Sequence, residues 1–97
     1  MRQVPDNFRE RLPHAIWMPG GDEICVYRGS PVEMVGSMAQ EMGVESPREA
    51  VVRLLHGLSK SRGINIGLPA NATDERLSAL FVYALLDTRL ALVVPTA

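Results

Sequence analysis

Cys25, His14 and His56 are the side chains of this chain best suited to nucleophilic or acid-base chemistry at neutral pH. A thiol becomes a nucleophile when a neighbouring base or positive charge favours the thiolate, and a serine needs an adjacent imidazole. No recognisable motif surrounds Cys25 or either histidine, and His56 falls on the polar side of a helical pattern, where a solvated imidazole is expected. A metal would need clustered Cys, His or carboxylate ligands, and neither histidine has a second ligand at a familiar spacing. Arg28-Gly29-Ser30 could offer free amides to a phosphate, but the same residues make an ordinary helix cap. The chain therefore reads as non-enzymatic, with no catalytic residue, no cofactor and no metal.

The bulk numbers narrow the class further. Ninety-seven residues with 46% hydrophobic content suit one core and one domain. Lys+Arg at 10 against Asp+Glu at 11 gives a net charge of -1, so nucleic-acid contact would need a local basic patch. A single cysteine excludes an internal disulfide and suits a reducing, cytoplasmic setting. Charges scattered through the first eleven residues argue against a secretory signal. The longest apolar run, Ala79 to Leu86, is about half of what a bilayer span needs.

The elements that would position any site follow from local grammar. Residues 1–13 read as an N-terminal arm, and residues 14–97 as a single α+β domain. His14 to Met18 and Glu23 to Arg28 are strand-like runs around Pro19-Gly20-Gly21-Asp22, which predicts a hairpin with a four-residue loop. Alternation along the second strand sets Ile24 and Val26 against Glu23, Cys25 and Tyr27, and hydrophobicity predicts that Ile24 and Val26 face the core. Ser30-Pro-Val-Glu33 and Ser46-Pro-Arg-Glu49 both read as capping boxes with proline at the first helical position. The helices they open carry Val35, Met38, Ala39 and Met42, then Val51, Leu54, Leu55 and Leu58, at helical spacing. Gly43 ends the first in a Schellman pattern with Val44, leaving a tight helix-turn-helix pair, and the second dissolves in Ser59 to Gly63.

Ile64 to Leu68 reads as a short strand and Leu90 to Val94 as a final one. Between them a third helix, from about Thr73 to Asp87, is apolar on every side, as befits a central core helix or one face of an oligomer interface. The expected architecture is a small, mainly antiparallel sheet packed against three helices.

With no chemistry evident, function is expected to lie in protein-protein contacts: a small regulatory or adaptor domain, working as a homodimer or within a complex. Met34, Met38 and Met42 recur every four residues, and flexible thioethers suit both core filling and adaptable surfaces. Trp17, Tyr27, Met34, Phe81 and Tyr83 are the candidate contact residues, aromatics being enriched at interfaces.

A second reading comes from residues 23–58. A strand, a helix ending Met38-Ala-Gln-Glu-Met-Gly43, a short turn and Ser46-Pro-Arg-Glu-Ala-Val-Val-Arg53 together resemble a ribbon-helix-helix DNA-binding domain. That resemblance implies a transcriptional regulator in which the strands of two chains pair into a ribbon that enters the major groove. It would make Glu23, Cys25 and Tyr27 the outward base readers, and Ser46 and Arg48 a phosphate clamp.

Overall fold

A computed structural model of the chain describes residues 12–20 and 22–94, so the expected N-terminal arm lies, except for Leu12 and Pro13, outside the described residues. The fold is α+β: a three-stranded antiparallel sheet of order β2-β1-β3 packed on three helices.

β1 (Ala15–Gly20) and β2 (Glu23–Arg28) form the expected hairpin, with Ile16 opposite Tyr27, Trp17 opposite Val26 and Met18 opposite Cys25. The strands take in Pro19 and Gly20, which the sequence had placed in the loop. The Gly29 amide donates to the His14 carbonyl at 2.8 Å and the Val94 amide to the Ala15 carbonyl at 3.1 Å. In antiparallel pairs, bonded and non-bonded positions alternate. Even-numbered residues of β1 therefore bond β2, and odd-numbered ones turn towards β3 (Leu92–Val93). Pro19 thus loses no donor on its β2 side, which explains a proline within the central strand.

Two residues separate β2 from α1 (Pro31–Met42). Ser30 Oγ accepts from the Glu33 amide at 3.3 Å and the Glu33 carboxylate accepts from the Ser30 amide at 3.1 Å, the full capping box. That amide, with the Ser30 side chain, holds the Glu33 carboxyl below the usual carboxylate range. Gly43, at φ 73°, closes the helix, and the Val44 amide reaches the Ala39 carbonyl at 3.0 Å as a Schellman ending requires.

α2 (Pro47–Arg62) keeps only half of its expected capping box. Ser46 Oγ accepts from the Glu49 amide at 3.1 Å, but the Glu49 carboxylate lies 3.7 Å from Arg53 one turn on, a competing i,i+4 ion pair. The helix also runs through Ser59-Lys60-Ser61 instead of dissolving there. Nothing in that run forbids helix, Lys60 and Arg62 suit its negative end, and only Gly63, at φ 66°, stops it.

Residues 64–68 form no strand; it is β3 that pairs with β1 on the side away from β2. Ile64, Ile66 and Leu68 are nevertheless half-buried while Asn65 and Gly67 stay exposed. α3 (Asp74–Asp87), capped by Thr73 on the Arg76 amide, resolves the alternative left by its apolar sequence: Leu77, Phe81, Val82 and Leu85 are buried in the main core with α1 and α2. Leu12 and Leu68 pack beside Ala79 and Leu80 on another side of the same helix.

The junction between sheet and helices rests on Gly29. Its φ is 102°, and a Cβ there would lie 3.1 Å from Glu33 Cδ and Oε1, against the carboxylate that caps α1. Gly29→Ala is expected to cost about 1–3 kcal/mol, read as a lowered midpoint in urea or thermal unfolding. An unchanged midpoint would contradict this account of the junction.

Candidate functional site

Side chains alternate along a strand, so the face that β2 turns to the helices decides what it offers to solvent. The orientation is the reverse of that expected from hydrophobicity. Tyr27 is the inward residue, only 7% exposed, opposite the fully buried Ile16, and Cys25 packs against the core beside Met18. Ile24 is 67% and Val26 46% exposed, both on the outer face.

Two features account for the inversion. Ile16 is buried, and the hairpin register places Tyr27 directly across from it on the same face. Tyr27 then buries an aromatic ring while its hydroxyl donates to Glu41 Oε2 of α1 at 2.7 Å, so no polar group is stranded. Burial pushes the phenol well above its ordinary range, and the Glu41 hydrogen bond and negative charge raise it further.

The outer face is consequently apolar across all three strands. Ile24 lies beside Pro19, and Trp17, half-buried, lies between Val26 and Leu92, the last 43% exposed. Arg28 and Asp22 are exposed at opposite ends of this strip. Among the described residues β2 is also the edge of the sheet. Its odd-numbered residues bond β1, which turns the amides and carbonyls of Ile24, Val26 and Arg28 outward, without hydrogen-bond partners among the described residues.

The residues singled out from sequence divide sharply. Trp17 lies in the outer strip. Met34 and Phe81 are fully buried core residues and present no surface to a partner, and Tyr27 likewise belongs to the inner face. Tyr83 is half-buried on α3 beside the cluster of Ala79 and Leu80.

The expected DNA contacts have internal roles. Buried Tyr27 and inward Cys25 face away from any groove that could be laid on the sheet, and Ser46 caps α2. Arg48 folds back on the loop before α3. It donates to the Ala70 carbonyl at 2.9 Å and to the Ala72 carbonyl, and pairs with Asp74 at 3.3 Å. A groove of about 400 Å³ beside this arginine is lined by Val52, Leu55, Ile66 and Leu68, so it offers mainly apolar contact.

His14 and His56 are both exposed, and no three His, Cys, Asp or Glu side chains are grouped to hold a metal among the described residues. No described helix is long and apolar enough to cross a membrane.

Comparison with known protein families, curated proteins and solved structures finds no match. The functional reading is therefore drawn from the outer strip and the open edge. Sequence reasoning assigned Ile24 and Val26 to the core, weighed Arg28 only in a phosphate-binding turn, and gave Leu92 and Asp22 no surface role. The available signal was the tyrosine itself, whose hydroxyl allows burial when a carboxylate lies within reach on the following helix.

Tyr27→Phe isolates the link between β2 and α1. Glu41 is exposed and can be resolvated, so the loss is expected to be about 1 kcal/mol. The raised phenol value means that this stabilisation is complete below the ordinary tyrosine value of about 10 and fades as pH climbs through the raised one. Urea unfolding at rising alkaline pH should show the difference between wild type and Tyr27→Phe shrinking; a pH-independent difference would contradict the assignment.

Proposed function

We propose that this chain is a small non-enzymatic regulatory or adaptor domain that works by docking protein on the outer face and free edge of its sheet. The observation that carries this reading is the coincidence of an apolar strip with a strand whose outer edge is unpaired among the described residues. Ile24 and Val26 are the residues whose backbone groups point outward, and neither is among the devices, such as lysine, proline or a bulge, that usually shield an edge. Such a strand can gain main-chain hydrogen bonds from an added strand while its side chains provide specificity. The strip is rimmed by charge at both ends, a pattern typical of protein-contact surfaces. The lone thiol, half-buried at Cys25, fits a reducing, cytoplasmic setting.

The test uses positions already in solvent. Ile24→Lys combined with Val26→Lys should leave the far-ultraviolet circular dichroism of the chain unchanged, because neither side chain packs in its core. Affinity capture from native extract, quantified by mass spectrometry against His56→Lys as control, should show bound protein reduced at least tenfold for the double variant alone. Equal capture by both variants would overturn the reading. So would wild-type binding to random duplex DNA that weakens steeply with salt, which would restore the DNA-binding alternative.

A further inference from the structure

We infer that the free edge of β2 pairs with β2 of a second copy in one register, with Asp22 opposite the partner's Arg28, Ile24 opposite the partner's Val26, and the two Cys25 residues facing each other. This proposal rests on the docking reading and names its occupant.

The argument begins with which groups are open. Ile24, Val26 and Arg28 direct their amides and carbonyls away from β1, so any antiparallel partner must bond these even-numbered residues. Two-fold pairing of a strand with itself also keeps outer side chains opposite outer side chains. These conditions leave registers that differ by steps of two residues.

Charge then selects among them. Asp22, in the turn one step before β2, and Arg28, its last residue, are both exposed and lie at opposite ends of the strand. When Cys25 lies on the two-fold axis, each Asp22 meets an Arg28 and each Ile24 meets a Val26. Displaced one step in one direction, Ile24 meets itself and Asp22 faces Val26. Displaced in the other direction, Arg28 faces Ile24 and Asp22 faces Ser30. Along the outer row, only the register centred on Cys25 joins opposite charges and apolar side chains with their like, which are the favourable cross-strand pairs.

The product is a continuous six-stranded sheet in the order β3-β1-β2-β2-β1-β3, with the helices of both copies behind it. It differs from a two-stranded polar ribbon, because both flanking strands remain in place and the joined outer face is apolar. An isologous contact of this kind closes on itself, so the exposed edge is consumed in a dimer and does not propagate.

The chain's single cysteine makes the register directly measurable, since any disulfide dimer must join two Cys25 residues. At a non-hydrogen-bonded antiparallel position, facing Cα atoms lie about 4.5 Å apart, within disulfide range. Sedimentation equilibrium of the reduced protein is expected to give twice the chain mass. Mild oxidation with copper-phenanthroline should convert that species to a covalent dimer without changing its sedimentation. Cys25→Ser should stay dimeric and fail to cross-link.

Asp22→Arg places like charges together and should weaken dimerisation at least tenfold, whereas Asp22→Arg with Arg28→Asp should restore it, which separates a pairing defect from misfolding. A reduced protein that sediments at monomer mass overturns the self-pairing. A dimer indifferent to both charge variants and resistant to cross-linking overturns the register. If the monomer still captures another protein through Ile24 and Val26, self-pairing fails while the docking reading survives; if no capture depends on them, both fail.

Discussion

The cross-strand contact of Ile16 with Tyr27, tied to α1 through Glu41, is the constraint on which the surface of this protein depends. A strand has only two faces, and a one-residue slip exchanges them completely. With Ile16 buried and Tyr27 opposite it, Met18 and Cys25 must also face the helices. Trp17, Ile24, Val26 and Leu92 are left to cover the outside. The apolar strip is thus the direct geometric consequence of what the core retained.

The chain path reinforces that choice. Gly29 takes a positive φ and donates to His14, and the Ser30–Glu33 box starts α1 immediately afterwards, so β2 and α1 are joined with little slack. α1 therefore returns alongside the strand, and the Tyr27 hydroxyl reaches Glu41 in its last turn. At the other end of the helix layer, Arg48 ties the first turn of α2 to Ala70, Ala72 and Asp74, which fixes the approach to α3. α3 can be apolar all round because neighbours pack on several of its sides.

Much of this was legible in the sequence, and the division follows the range of the interactions. The caps at Ser30 and Ser46, the left-handed endings at Gly43 and Gly63 and the span of α3 depend on residues a few positions apart, and local grammar is enough for them. Glu49 shows the boundary, since two local partners competed for one carboxylate and Arg53 prevailed over the Ser46 amide. The inner face of β2 was misread because Ile24 and Val26 outrank Cys25 and Tyr27 on hydrophobicity alone, and the acceptor that permits Tyr27 to be buried lies fourteen residues away. Residues 64–68 have a strand's alternation without a strand's partner, which no local pattern reveals. The resemblance implied a phosphate contact for Arg48, and the acceptors that engage it instead lie more than twenty residues downstream.

The central claim is that β2 turns Tyr27 inward and Ile24 and Val26 outward, and a methyl- and aromatic-resolved nuclear Overhauser spectrum of the labelled protein tests it most directly. The account predicts cross-peaks from the Tyr27 ring to side-chain protons of Glu41 and the α1 core, with the Val26 methyls reaching the Trp17 indole and no helix. Cross-peaks from Ile24 or Val26 methyls to Val35, Phe81 or Leu85 would contradict it.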